Sequence, residues 1–400
     1  MFVTYARTAP GDGPGSHSVL LLGPEPPASG AVRRLARVET PGMRGARFGG
    51  LEINEAALPE AALVGAVGDG VSLALRSFQI SHCLVPGTVL AGVDSVLRQA
   101  VHAATENRPG GQPARRWHQT LAGVFADLLA CDAMAVTGLR ALSLLPQDAY
   151  LLAAAVKYMM PDVLREGLEE LAAVLGARGY DRGPLYGGFQ KLAGTCPWQG
   201  SGTRGPPSAR RCWCPSCRPW PARRGSAPRS RPRVVHARRA LPPFDHRRLA
   251  HSGTDDLLTA TLIGAAGRLG SQRSHGPLPA ALAGLAQTFV EELRVLRAVY
   301  AALPAAREAA FDPQACALAD RYALVLAAAA CLGVWEGQEG SGSFLEDPAW
   351  AVLALSRIGR RLGVPGPELP AGAVQAALAE VMVRCREGRS LDLYGTELAG

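Results

Sequence analysis

The residues of this chain that carry chemistry fall in a few places. Arg108 stands in the joint Glu106-Asn107-Arg108-Pro109-Gly110, just ahead of a stretch with helical spacing. A guanidinium there adds a fixed cation to the positive end of a helix, a pairing suited to phosphate or carboxylate. The plain alternative is a solvated loop charge. Leu175-Gly176-Ala177-Arg178-Gly179-Tyr180 is a second, weaker phosphate signal, since small residues let a backbone approach a ligand closely. Its alternative is a helix C-cap built on a left-handed glycine. His82 suits a hydrogen bond to a carbonyl, or else a satisfied interior position. Cys212-Trp213-Cys214-Pro215-Ser216-Cys217 has the spacing for three zinc thiolates, with Cys196 and His236 available only through long loops. A closed zinc site needs four ligands. Glu291-Glu292, Glu308 and Asp320-Arg321-Tyr322 are charge clusters that a solvated helix face explains more simply.

Three amphipathic helices must position the first of these groups. Val89, Leu90, Val93, Val96, Leu97, Ala100, Val101 and Ala104 fall on one face of the first. Leu121, Val124, Phe125, Leu128 and Leu129 do so in the second, and Val156, Met159, Met160, Val163, Leu164, Leu168, Leu171 and Leu175 in the third. Each series repeats as i, i+3, i+4, i+7, the period of a helix burying one stripe. Short connections make them antiparallel neighbours in a helical bundle.

Before the bundle, residues 1–63 read as strands and turns. Ser18-Val19-Leu20-Leu21-Leu22 is a short buried strand, 32–38 an alternating one, and Gly50-Leu51-Glu52-Ile53 follows a Gly-rich turn. A sheet this short leaves edges unpaired, so the expectation is that strands ahead of residue 1 are missing or that this start is not the natural one. After the bundle, 255–269, 279–303, 312–337, 347–362 and 370–386 are amphipathic segments bounded by Pro, Gly and capping Asp. The fold class is mainly α with a small β portion.

Hydrophobic residues make up 48% of the 400 residues, enough for a sizeable core. The start lacks a basic region followed by an apolar run, so no signal peptide is expected. The longest apolar run, 323–335, is shorter than a membrane span and reads as a buried helix. Scattered cysteines such as Cys131, Cys316 and Cys331 sit at helix-face positions, which fits reduced thiols in a cytoplasm. The net charge of +8 comes from one block. Residues 194–240 hold eleven Arg, no Lys and no Asp or Glu. Without them 42 − 11 = 31 basic residues face 34 acidic ones, a net of −3, so no nucleic-acid partner is expected of the chain as a whole.

Together these pieces resemble the acyl-CoA dehydrogenase family, over roughly residues 1–193. Thr40-Pro41-Gly42-Met43-Arg44-Gly45 and the strand after it look like the end of that family's middle β-domain. Leu58-Pro59, Leu63-Val64-Gly65 and Gly68-Asp69-Gly70 look like the crossing into its helical domain. Arg108, Gln119 eleven residues on and Asp127 eight further match its Arg, Phe-Gln and Ala-Asp spacing, Lys157 sits in the matching third helix, and 175–180 looks like its Gly-Gly-x-Gly-Tyr segment.

The resemblance implies FAD as cofactor, an acyl-CoA or acyl-carrier thioester as substrate, a separate electron acceptor, and homo-oligomers. Arg108 would reach the FAD diphosphate of a partner subunit, Gln119 would donate to the same cofactor, and the Gly176–Ala177 backbone would approach it. His82 takes the place of an Arg near the substrate thioester. The implied reaction is α,β-dehydrogenation, in which a carboxylate removes the α proton and hydride leaves to the flavin.

Departures count as well. Ala173 and Ala177 replace the family's Gln and second Gly. Of the two places that hold its catalytic Glu, one is Ser81 here and the other falls in the Arg-rich block. The family's N-terminal helical domain and the first half of its β-domain have no counterpart. No catalytic residue is assigned.

The block at 194–240 also holds four of the nine Cys, three of the six Trp and eight Pro. Besides zinc, it reads as a disordered basic arm for acidic partners. The preferred reading is a locally shifted reading frame. Combining the last base of each codon with the first two of the next turns Trp198-Gln199 into Ala and Cys212-Trp213-Cys214 into Leu-Val after one further apolar residue. Ordinary sequence resumes near Leu241. Even the restored loop carries Ala where the family has Glu.

The expected organisation is a remnant of a β-domain at 1–63, a helical bundle at 64–193, an irregular segment at 194–240 and a helical region at 241–400. The expected function is an FAD-dependent oxidoreductase on acyl thioesters, impaired in this chain. The alternatives are a non-catalytic helical oligomerisation module and a nucleic-acid binder working through the basic arm. Neither a membrane nor a metal partner is expected.

Overall fold

The computed structural model describes residues 1–11, 13–23, 31–40, 43, 45–106, 108–204, 240–250, 257–271, 276–302 and 313–399. The backbone divides into two units, Met1–Ser81 and His82–Gly400.

In the first unit, β1 (Phe2–Arg7), β2 (His17–Leu22) and β5 (Leu63–Val64) form an antiparallel sheet in the order β1-β2-β5. Phe2 pairs with Leu22 and Val19 with Val64. A two-stranded sheet joins β3 (Val32–Arg34) to β4 (Leu51–Ile53). Regular pairing ends at Arg34, yet Leu35 N–H still donates to Gly50 O at 2.9 Å and Val38 N–H to Phe48 O at 2.8 Å. The strand expected over 32–38 is therefore extended throughout its bonded length. Strand β1 was not anticipated: its side chains alternate, but Val3 and Tyr5 lie on the exposed side and blur the pattern. Gly70 opens helix α1 (Gly70–Thr105) against β2, where a Cβ would meet His17 O at 2.6 Å, so only glycine fits that crossing.

The second unit is helical. Its helices are the remainder of α1, α2 (Arg115–Leu144), α3 (Ala149–Leu175), α4 (Gly187–Arg204), α5 (Leu257–Ser271), α6 (Pro277–Ala301), α7 (Pro313–Glu336), α8 (Pro348–Leu362) and α9 (Ala371–Arg386). All three bundle helices and the five C-terminal ones appear where the 3.6-residue period placed them. The backbone of α4 runs on to Arg204, into the segment expected to be irregular. Residues 205–239, and with them the Cys212–Cys217 cluster and His236, lie outside the described residues, as does Glu308.

Helix α2 is the hub. It packs against α3, α7, α8 and α9, and every residue from Leu121 to Gly138 is buried. That position accounts for its composition, since a helix surrounded on all sides is apolar all round. Among the described residues, three helices, Gly70–Thr105, Arg115–Leu144 and Cys316–Glu336, are long and apolar enough to cross a membrane, but the most apolar windows of the last two are 100% and 78% buried inside the protein. Asp347 caps α8 by accepting from Ala349 N–H at 2.8 Å, and Pro348 follows it. Gly363, at φ 68°, ends the same helix, with Val364 N–H returning to Gly359 O at 3.1 Å.

Beyond α9 the chain folds back over α1 and α2. Leu391 N–H donates to Asp94 Oδ2 at 2.6 Å and Leu393 N–H to Asp132 Oδ2 at 2.9 Å. Leu391 is fully buried. Burial pushes the Asp132 carboxyl up to about 6, against the pull of the Leu393 N–H.

Candidate functional site

One end of the bundle brings two of the predicted segments together. Helix α1 stops at Thr105, and Arg108 follows with an extended backbone, exposed, its N–H donating to Thr105 O at 3.1 Å. Pro109, Gly110 and Gly111 make a tight turn in which both glycines have positive φ, 72° and 61°. At the other side, α3 ends on Gly176 with φ 54°, and its N–H donates to Ala172 O. Gly176–Tyr180 then winds as a short 3₁₀ turn. Arg178 from that turn pairs with Glu106 and reaches Ala103 O at 3.4 Å. The Arg108 joint and the glycine turn are thus tied by one guanidinium. His102 Nδ1 and Tyr186 OH, 2.9 Å apart, brace the same end.

The glycine turn is a helix cap, as the structural reading held. Within the chain a Cβ on Gly176 would meet nothing within 4 Å, so its glycine answers to the positive φ. Gly176 and Ala177 are exposed, and so are Arg108, Arg115 and Arg116, the last stacked 4.9 Å from the Trp117 ring centre. This end of the bundle is an open cationic surface. Gln119 is exposed one turn into α2, but it lines a different concavity, walled by α2, α6, α8 and the loop after α8.

His82 lies on α1, half-buried. Burial, and then the nearby Lys157 ammonium, push its imidazole down to about 4. It is neutral at pH 7 and able to donate to a carbonyl. Ser81, next to it, donates its hydroxyl to Phe78 O at 3.2 Å. In a proton-NMR titration His82 is expected to stay neutral until about pH 4, and Lys157→Met to raise that midpoint. The sign for stability follows: the unfolded chain binds the proton first, so His82 makes the fold less stable as pH falls from the ordinary imidazole range. A midpoint near the ordinary imidazole value in the wild type would contradict this burial.

Asp127 entered the sequence reading as a spacing marker. In the structure it is the centre of a buried charge cluster. Its Oδ2 accepts from Arg357 Nη2 at 2.6 Å and Arg361 Nη2 at 2.7 Å, and its Oδ1 from Arg361 Nη1 at 2.8 Å. Arg357 also bonds Glu170 at 2.6 Å, and Arg361 bonds Glu166 at 2.8 Å. Burial alone would raise the Asp127 carboxyl, but the two guanidinia outweigh it and hold it below the ordinary carboxylate range. The legible signal was two complementary pairs at helical spacing, Glu166/Glu170 on α3 and Arg357/Arg361 on α8. A Cβ on Gly123 would meet Arg357 Nη1 at 2.4 Å, so glycine at 123 admits the guanidinium.

The other charge candidates are structural. Glu292 is not on a solvated face: it is 6% exposed and accepts from Arg321 Nε at 2.7 Å, and Arg321 continues to Leu362 O at 2.9 Å. Glu291 does sit outside, bonded to Gln287 and Arg294. Asp320 accepts from Tyr158. Among the described residues no three His, Cys, Asp or Glu side chains are grouped to hold a metal. Cys83, Cys131, Cys316 and Cys331 are buried free thiols, and burial pushes Cys83 and Cys331 up to about 12.

No family model matches the sequence, and no curated protein matches it. Among solved structures, an acyl-CoA dehydrogenase from Bacillus anthracis, complexed with FAD, superposes over 92% of this chain with a TM-score of 0.57 at 12% identity. The fold is that of the acyl-CoA dehydrogenases. A glutaryl-coenzyme A dehydrogenase in complex with glutaryl-CoA matches 48% of the chain at 20% identity and TM-score 0.42, and the butyryl-CoA dehydrogenase of Megasphaera elsdenii 49% at 16% identity and TM-score 0.43. The chain spans 59%, 49% and 53% of the lengths of these three proteins, in that order. The acyl-CoA dehydrogenase fold thus extends well past the bundle, because the match to the Bacillus anthracis protein takes in most of the C-terminal helices.

Proposed function

We propose that the chain supplies the helical-bundle part of an FAD-dependent oxidoreductase acting on an acyl thioester, carried by CoA or by a carrier protein. The observation that carries this reading is the open cationic bundle end, where the Arg108 joint and the Gly176 turn are held together by Arg178. The groups there fit a dinucleotide diphosphate. Arg108 brings an exposed guanidinium, and the Gly176–Ala177 backbone leaves open space for close approach. Gln119, which the resemblance assigns to the same cofactor, lines the separate concavity between α2, α6, α8 and the loop after α8, so the cofactor reading rests on Arg108 and the Gly176–Ala177 backbone.

Bound FAD would supply the hydride acceptor for α,β-dehydrogenation. His82, neutral at pH 7, would donate a hydrogen bond to the thioester carbonyl and help polarise it. Ser81 cannot take the α proton, because its hydroxyl is a far weaker base than a carboxylate and is already committed to Phe78 O. Turnover by this chain is therefore slow or nil, and binding is its better readout. As the resemblance implies, the diphosphate would come from a partner subunit of a homo-oligomer. Unpaired cysteines support a reducing compartment such as the cytoplasm. A non-catalytic oligomerisation module is the second reading, supported by Leu84 and Val85, which are 56% and 39% exposed on α1.

Arg108→Ala tests the first reading. Loss of one charge-assisted contact of about 1.5–3 kcal/mol weakens FAD binding roughly ten- to a hundredfold. Equal FAD affinity in the two proteins would remove Arg108 from the cofactor site.

A further inference from the structure

The concavity that Gln119 lines is a site of its own. It is a groove of about 260 Å³ between the start of α2, α6, α8 and the 364–369 loop. None of its lining residues belongs to the Arg108 joint or the Gly176 turn. Leu285, Phe289, Val364, Pro365, Pro367 and Leu369 make the walls apolar. Three polar groups converge on those walls without partners. Ser356 Oγ is shielded from solvent and has no hydrogen-bond partner among the described residues. The side chains of Gln119 and Arg360 likewise make no hydrogen bond or ion pair there. By contrast the neighbouring Arg357 and Arg361 are paired with carboxylates, Arg357 with Asp127 and Glu170 and Arg361 with Asp127 and Glu166. Thr288 turns its hydroxyl proton back to Gly284 O at 3.1 Å.

We propose that this groove binds a small aliphatic monocarboxylate. The chemistry is set by the walls and the rim. An apolar body buries against Phe289, Leu285 and the prolines, which is the favourable part of the transfer. The carboxylate meets the unpaired Arg360 guanidinium at the exposed rim, in the geometry that guanidinium offers to two oxygens. Ser356 Oγ and the Gln119 amide supply further donors, and Ser356 then loses the cost of a shielded, unbonded hydroxyl. Drug-sized ligands take pockets of roughly 300–1,000 Å³, so this one suits a shorter molecule. Its position is fixed by the Gly363 turn, which ends α8 and delivers the Pro-rich loop over the groove.

The test is calorimetric titration of the full chain with sodium hexanoate, with hexanol as the neutral control and FAD titrated in parallel. Saturable one-to-one hexanoate binding is expected, with hexanol at least tenfold weaker. Arg360→Gln should weaken hexanoate tenfold or more, and Ser356→Ala severalfold, with FAD affinity unchanged in both. Arg360 is exposed and has no side-chain hydrogen bond or ion pair among the described residues, so the first variant keeps the fold. No saturable hexanoate binding would overturn the proposal. So would equal binding of hexanol, or hexanoate binding that Arg360→Gln leaves unchanged. Loss of FAD binding in Arg360→Gln would assign the groove to the cofactor and overturn it too. Failure of FAD to bind while hexanoate binds as described would strike the cofactor reading alone.

Discussion

Asp127→Ala is expected to lower the unfolding free energy of the helical unit by about 3–5 kcal/mol, the usual cost of stripping one partner from a buried ion pair. The carboxylate is 1% exposed and answers two guanidinia at once, 8% and 16% exposed. Without it, Arg357 and Arg361 keep only Glu170 and Glu166, which are 37% and 41% exposed and better solvated. Denaturant unfolding followed by helical circular dichroism measures the loss. The triple variant Asp127→Leu, Arg357→Met, Arg361→Met should lose much less than Asp127→Ala alone, because no charge is left stranded. The pH arm has a definite sign. The folded Asp127 pKa lies below its unfolded value, so its contribution is complete above the ordinary carboxylate range and is lost as pH falls through the depressed folded value. The gap between wild type and Asp127→Ala should therefore close in acid. A gap that stays constant down to low pH, or a single-variant loss under about 1 kcal/mol, would mean that the cluster is a surface-like pair.

Trp350→Ala should cost a similar amount, about 3–5 kcal/mol, through cavity formation in a well-packed core. Trp350 is fully buried, and its indole N–H donates to Leu345 O at 2.9 Å. It sits near the start of α8, seven residues before Arg357, on the same face two turns on. Loosening it therefore also loosens the anchor of the charge cluster. Trp350→Phe keeps most of the volume and gives up the hydrogen bond, so its loss should be nearer 1 kcal/mol. Thermal unfolding midpoints of the two variants check the ratio. If Phe and Ala cost the same, the hydrogen bond and not the packing holds this end of α8.

The helices were legible because their apolar stripes are long and regular. Val89 to Ala104 and Val156 to Leu175 keep the 3.6-residue period without interruption, and Asp347-Pro348 with Gly363 marks α8 at both ends. The strands were less so. Strand β1 carries its apolar residues partly on the exposed side, and β5 is two residues long, too short for any period. At the site, the sequence offered Arg108 and the glycine turn as separate features. It could not place them together, because Arg178 and Glu106 are 72 residues apart. Asp127 was legible only as spacing. Its partners lie on α8, 230 residues away, and only the matched Glu and Arg pairs hint at it. Glu292 was misread because a charged pair on a helix surface usually faces water, whereas Arg321 from α7 reaches over to neutralise it. Residues 205–239, most of the Arg-rich block, with Cys212, Cys214 and Cys217, lie outside the described structure.

Flavin binding tests the central claim most directly. Purified full-length chain, shown by circular dichroism to be folded, is titrated with FAD while flavin fluorescence and the visible flavin bands are followed. The account predicts saturable binding, weakened by Arg108→Ala, with little or no bleaching by acyl-CoA because, in the proposed reading, Ser81 takes the place of a carboxylate base. A folded chain that leaves FAD unchanged at every concentration would contradict it and leave a helical scaffold without a cofactor.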